Sequence, residues 1–375
     1  MKKQVLFVIH YLELGGAEMS LLGLLESLDY NKMDVDLFLY NLRGELVQFI
    51  PSQVNLLPEI PQYKQIERPI KDVLKDGFYR LGLARMIAKM KFKRYAKRNR
   101  PKDGAAIFSY VAKELSPLLP DINPGKVYDI AVSYLTPHDF VLKHVNAKEK
   151  VAWIHTDYSQ IDVCEELELP IWSGYNRIVS ISPDVTNNFL TVFPSLSDRI
   201  VEKPNVVSER FVRSRAEEID STAVEKEMPK QPGRVNLLSV GRFCYAKNYD
   251  NVPDICRRIR EKGVDVHWYL IGYGGDEQLI RNCIEASGMG NYVHILGKKV
   301  NPYPYMKACD IYIQPSRYEG SPITILEADA LGKNVVLTGF PTAGSVAKGC
   351  HNCVIVPMDN EGCAAGINEL IQDIK

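Results

Sequence analysis

The chain has 375 residues, 46% of them hydrophobic and 25% charged, with a formal net charge of zero. That length suits two domains, each able to bury a core, and the composition is that of a globular protein rather than a disordered or fibrous one. The neutral balance gives no footprint for nucleic acid, no stretch approaches the ~18 consecutive apolar residues of a membrane span, and the eight cysteines show no disulfide framework, which suits a reducing compartment.

In chain order, QVLFVIH (4–10) reads as a buried strand. Its apolar run, Val5 to Ile9, is too short for a signal peptide and no cleavage-like site follows, so a cytosolic protein is expected, with a peripheral membrane role left open. LGGAE (14–18) leaves that strand and opens a helix. Gly15 and Gly16 allow close approach of a ligand and can present N–H groups to a phosphate, a weak signal on its own. DVDLFLY (34–40) is the next strand. RLGLARMIAKMKFKRYAKRNRPK (80–102) then carries ten Lys or Arg and no acid, with Leu83, Met86, Ile87 and Met90 at helical spacing. Such a basic amphipathic helix suits an anionic membrane surface; its bland reading is the solvated face of an ordinary helix.

YDIAVSY (128–134), KVAWIH (150–155) and RIVSIS (177–182) continue the strands, and His155 ends one of them. A lone histidine is usually structural, but one on the loop side of a strand is a better site candidate. The polar stretch 208–233 lacks a strong apolar period and reads as a linker between a first domain, 1–207, and a second, 234–375. Strands then resume at 235–241, 266–272, 292–297, 310–316, 334–339 and 354–358. Strands alternating with helices predict an α/β protein of two doubly wound parallel sheets, with the chemistry on loops that follow strands.

Four of those loops stand out in the second half. SVGRFCYAKN (239–248) offers Gly241 for a sharp exit and Arg242 and Lys247 as cations for a diphosphate, or else two surface charges. IGYGGDEQ (271–278) lacks the third glycine of a dinucleotide fingerprint, so it reads as a structural turn, and an oxidoreductase is disfavoured. SRYEGSPITILEA (316–328) places Glu319 on a strand-to-helix loop and Glu327 in the second turn of the helix. There Ser321 is the expected N-cap, Pro322 the first helical residue and Gly332 the stop. The bland reading is a capped helix with two solvated glutamates. CHNC (350–353) has no second ligand pair at zinc spacing, so its cysteines read as packing residues.

Together and in this order, GGAE, WIH, SVGRF…K and the two glutamates within PSRYEGSPITILEADALGKNVVLTG resemble the retaining, nucleotide-sugar-dependent glycosyltransferases of family four over nearly the whole chain. The resemblance implies the GT-B architecture, two Rossmann-like domains facing across a cleft. It implies that Glu327 takes the ribose hydroxyls and Glu319 the donor sugar, with Gly320, Ser321, Pro322, Ile323 and Thr324 lining sugar and diphosphate. Arg242 and Lys247 would neutralise the leaving diphosphate, His155 would reach the donor sugar, and Gly15 and Gly16 would bound the phosphate and acceptor side. It implies no cofactor and no metal. The substrates would be a nucleotide-sugar, by default a UDP-sugar, and a glycan or lipid-linked acceptor in bacterial capsule, O-antigen or exopolysaccharide synthesis. Only 48 residues follow Glu327, so the family's last helix, which crosses back to the first domain, is expected to be short or absent. A nucleotide-sugar 2-epimerase and a non-catalytic sugar-nucleotide-binding protein are the alternatives. The presence of all five polar site residues argues against the second.

Overall fold

The computed structural model describes residues 2–374 apart from Leu14, Lys102, Ile219, Asp220 and Ser321, and describes Ser221 by its backbone only. The chain forms two compact units, Met1–Val206 and Val207–Lys375.

The first unit is built on a parallel sheet of β1 (Lys3–Ile9), β2 (Met33–Leu39), β3 (Val54–Leu56), β4 (Tyr128–Ser133), β5 (Ala147–Ile154), β6 (Arg177–Ser180) and β7 (Ile200–Glu202), in the order β3-β2-β1-β4-β5-β6-β7. Its helices are α1 (Gly16–Glu26), α2 (Pro61–Lys64), α3 (Ile70–Lys75), α4 (Tyr79–Asn99), α5 (Ile107–Leu115), α6 (Asp139–His144), α7 (Glu165–Ser173) and α8 (Pro183–Val192). The second unit has β8 (Val235–Val240), β9 (Val266–Ile271), β10 (Val293–Gly297), β11 (Ile311–Gln314), β12 (Asn334–Thr338) and β13 (Cys353–Val356), parallel in the order β10-β9-β8-β11-β12-β13. With them are α9 (Glu209–Ala216), α10 (Ser221–Glu227), α11 (Val252–Glu261), α12 (Glu277–Ala286), α13 (Tyr303–Ala308), α14 (Ile323–Ala330), α15 (Ala343–Ala347) and α16 (Asn360–Asp373).

Both sheets follow from their sequences. A strand covered by helices on both faces has no wet side, so its apolar run is continuous rather than alternating. VNLLSV in β8 and VHWYLI in β9 are buried along their whole length. Ser239 is bonded internally: its Oγ donates to the Ile313 carbonyl at 2.6 Å and accepts from Trp268 Nε1 at 3.0 Å. In each sheet the strand order reverses once, between β1 and β4 and between β8 and β11. Open α/β sheets bind ligands beyond the carboxyl ends of strands at such reversals. The loops that leave β1, β4, β8 and β11 are therefore where chemistry is expected.

The segment expected to be a linker, 208–233, instead contains α9 and α10, which belong to the second unit and pack on α13. Val212 and Ala216 are buried, and the Ser208 hydroxyl caps α9 by accepting from the Phe211 N–H at 3.0 Å. The stretch looks polar because only a narrow face of two short helices is covered. The basic segment forms α4, with Leu81, Ala84 and Ala88 inward and Leu83, Met86 and Met90 exposed. Among the described residues, no helix is long and apolar enough to cross a membrane.

Candidate functional site

In the second unit the loops after β8 and β11 meet around Glu319. Its Oε1 accepts from Lys247 Nζ at 2.6 Å, from Gln314 Nε2 at 2.6 Å and from the Ser316 hydroxyl. Lys247 and Glu319 side chains are 16% and 11% exposed, so little solvent screens the pair. All three donors use one oxygen, and no described residue donates to Oε2. The β8 loop is clamped onto the β11 loop by Arg317, which forks onto Asp250 at 2.9 and 2.7 Å and donates to the Tyr245 carbonyl at 2.7 Å. Asn248, in the left-handed region at φ 61°, donates from its amide to the Pro315 carbonyl at 2.9 Å. Sequence reasoning placed Lys247 on a diphosphate; here it holds Glu319. Gln314, Ser316, Asp250 and Arg317 escaped that reading, because nothing in their local pattern separates them from ordinary strand and loop residues.

The helix α14 starts at Ile323 with Pro322 as its N-cap, one residue later than the sequence suggested. Ser321, the expected cap, lies outside the described residues. Gly332, at φ 70°, ends the helix as expected: its N–H reaches the Asp329 carbonyl at 2.8 Å and the Lys333 N–H reaches that of Ala328 at 3.1 Å. Gly320 and Thr324 are half-buried, while Pro322 and Ile323 turn inward. The first N–H groups of an α-helix have no intrahelical partner and stand at the positive end of its dipole.

Glu327 is not a solvated glutamate. It is buried, and burial pushes its carboxyl up to about 7, opposed by the hydrogen bond from Tyr303 Oη at 2.8 Å. Tyr303 is in turn set by the Asn301 carboxamide, which accepts from the Tyr303 N–H at 3.2 Å and donates to the Arg215 carbonyl at 2.7 Å. The unforeseen α9 thus supports the buried glutamate. A carboxylate on the verge of ionising inside the protein suits a ligand that brings its own hydroxyl donors.

Arg242, on the same loop as Lys247, is exposed and forms no hydrogen bond or ion pair with a described residue. Its turn has little room for side chains. A Cβ on Gly272 (φ 154°) would lie 1.9 Å from the Gly241 carbonyl oxygen, and one on Gly274 (φ 159°) 2.2 Å from that of Phe243. IGYGG is therefore the structural turn that the sequence suggested, built to carry the Gly241–Phe243 turn. Tyr249 Oη is buried there without a partner.

In the first unit His155 is half-buried at the end of β5, its ring 4.6 Å from that of Tyr134. Burial pushes its imidazole down to about 3, and Nε2 has no partner. A neutral ring with an unmet nitrogen is suited to a hydroxyl. Gly15 is the N-cap of α1 and Gly16 its first residue. A Cβ on Gly15 would lie 2.3 Å from the Glu18 carboxylate, so an acid already stands at this helix end where a phosphate was expected.

The cysteines of CHNC are not packing residues. Cys350 and Cys353 are joined as a disulfide, with Cα atoms 5.7 Å apart, and both are half-buried. Between them His351 binds Asp329 of α14 through its N–H at 2.9 Å and its ring at 2.8 Å. Among the described residues, no group of three His, Cys, Asp or Glu side chains could hold a metal ion.

Residues 220–375 match the family model for glycosyl transferases group 1. The putative colanic acid biosynthesis glycosyltransferase WcaL of Salmonella typhimurium is 27% identical over 165 residues, 40% of this chain and 40% of that protein. The N,N'-diacetylbacillosaminyl-diphospho-undecaprenol alpha-1,3-N-acetylgalactosaminyltransferase of Campylobacter jejuni is 29% identical over 118 residues, 32% of this chain and 27% of that protein. The matched stretches thus span well under half the length of these curated relatives. The structure of Anabaena Alr3699/HepE in complex with UDP and glucose superposes with a TM-score of 0.65 at 15% identity, covering 99% of this chain and 90% of that one. That likeness gives the chain the GT-B fold.

Proposed function

From the match of residues 220–375 to the glycosyl transferases of group 1, we propose that this chain moves a sugar from a nucleoside diphosphate to a glycan or lipid-linked acceptor, with retention at the anomeric carbon. One observation carries this reading. At the strand-order reversal of the second sheet, a partly satisfied carboxylate, Glu319, and a buried one, Glu327, flank the N-terminus of α14, with the unpaired cation Arg242 on the facing loop.

In this reading Glu327 accepts from the ribose hydroxyls and Glu319 Oε2 from a hydroxyl of the donor sugar. Arg242, Lys247 and the first N–H groups of α14 take the diphosphate. His155 meets the donor sugar, and Gly15 and Gly16 border the acceptor side. As the bond between the sugar and the diphosphate breaks, charge builds on the diphosphate, where preorganised donors stabilise it without a metal. The acceptor hydroxyl forms the new bond from the same face, and its proton passes to the departing diphosphate. UDP is the proposed nucleotide. Surface polysaccharide assembly at the cytoplasmic side of a bacterial membrane is the proposed setting, with exposed Leu83, Met86 and Met90 and the cations of α4 meeting anionic lipid.

The test is product analysis. The protein is incubated with nucleotide-sugars and a bacterial membrane lipid extract, and the products are read by mass spectrometry and NMR. Release of nucleoside diphosphate with a glycosylated lipid of unchanged anomeric configuration supports the reading. An epimerised nucleotide-sugar formed without acceptor contradicts it.

A further inference from the structure

The loop that leaves β1, at the strand-order reversal of the first sheet, carries polar groups that the donor reading does not use. His10 Nδ1 lies 2.5 Å from Glu67 Oε1. Arg43 Nη2 stands 3.6 Å from Glu67 Oε2, Arg43 Nε 3.4 Å from Glu13 Oε1, and its guanidinium lies over the Tyr11 ring at 4.5 Å. Arg85 reaches in from α4 to donate to the Gln65 and Arg68 carbonyls. Burial pushes the Glu67 carboxyl up, but the hydrogen bond from His10 and the charges of His10, Arg43 and Arg85 outweigh it and hold the group below its ordinary value.

An ionised Glu67 can only accept, so His10 Nδ1 carries a proton and donates to it, which fixes the ring's orientation and turns Nε2 away from Glu67. That Nε2 is buried and has no partner among the described residues. The His10 side chain is 12% exposed, so the ring lies just under the surface. A buried ring nitrogen left unmet is costly, and a hydroxyl, which can both donate and accept, meets it in either form of the ring. The charges decide which ligand. Three carboxylates, Glu13, Glu18 and Glu67, face the guanidinium groups of Arg43 and Arg85, so the cluster has no excess positive charge to select an anion. Its dense donors and acceptors suit a neutral polyhydroxyl compound.

We propose that His10, held in orientation by Glu67, binds a hydroxyl of the acceptor sugar. His10 touches the substrate, and Glu67 acts as its positioning residue. This rests on the transferase reading and assigns the acceptor side of it to named residues. His10 supplies a hydrogen bond and is not asked to remove the proton.

The experiment uses the full chain labelled with nitrogen-15 at histidine and a set of octyl glycosides of common bacterial sugars as probes. NMR should show a saturable shift of the His10 Nε2 resonance with the glycoside of at least one sugar. His10→Phe should weaken that glycoside about tenfold while UDP affinity stays within about twofold, and His10→Gln should restore part of the loss. Glu67→Gln should weaken it less and move the Nδ1 resonance. The proposal is overturned if no glycoside binds, if a bound glycoside leaves His10 Nε2 unmoved, or if His10→Phe and wild type bind it equally. The resonance is read on the wild-type protein, so the test survives a variant that fails to fold. Glycoside binding at His10 without any nucleotide binding would support this site and sink the transferase reading instead.

Discussion

Replacing Glu327 with Gln keeps an acceptor for the Tyr303 hydroxyl and removes the charge. In the folded protein burial pushes this carboxyl to about 7, from an ordinary 4.5, despite the opposing hydrogen bond. Between those values the folded protein holds a proton that the unfolded chain has released. Stability therefore falls as pH rises through this window and levels off above it. The difference, 7 − 4.5, amounts to about 3 kcal/mol when the group is fully ionised, of which about 2–3 kcal/mol develops between about pH 5 and pH 8. Glu327→Gln lacks this titration. In urea unfolding followed across that range, the variant should gain about 2–3 kcal/mol relative to wild type and be the more stable at the alkaline end. Calorimetry should show the opposite for ligand: UDP affinity about tenfold weaker or worse, since the ribose hydroxyls lose a charged acceptor. A stability difference that stays flat with pH, or a variant that binds UDP as well as wild type, would refute the reasoning.

Lys247→Ala leaves the Glu319 carboxylate buried with neutral donors only, and should cost about 3–5 kcal/mol in urea unfolding; the double variant with Glu319→Gln should recover most of that loss. Cys350→Ser opens a loop of four residues, for which chain entropy predicts a loss of about 2 kcal/mol, read as a lower urea midpoint that wild type matches once reduced. Charge reversal at Lys89, Lys93 and Lys97 should abolish sedimentation with phosphatidylglycerol vesicles and leave the melting temperature unchanged, because all three side chains are exposed. Equal binding by the variant would remove the membrane role of α4.

The long elements were legible because both sheets bury continuous apolar runs, such as Val235–Val240 and Val266–Ile271, that stand out from their polar loops. The edge strands β3 and β7 were not, since three residues are too few to show a period. Nor was α9, whose covered face is little more than Val212, Arg215 and Ala216. At the site, residue types and loop positions were visible in the sequence, but partners were not. Lys247 and Glu319 stand 72 positions apart, and only the fold shows that they bind each other. Tyr303 and Glu327 are 24 apart on separate helices, so the burial that raises Glu327 could not be read from either. The spacing of Cys350 and Cys353 is plain in the sequence, but two cysteines three positions apart do not by themselves distinguish a disulfide from packing residues.

The central claim is that the loops after β8 and β11 hold a nucleoside diphosphate. Calorimetric titration of wild type and Arg242→Ala with UDP, GDP, ADP and dTDP tests it most directly. The account predicts single-site binding of one of them, UDP foremost, weakened about tenfold in Arg242→Ala, with unfolding stability unchanged within about 0.5 kcal/mol because Arg242 is exposed. Absence of binding by all four, or equal affinity in the variant, would contradict it.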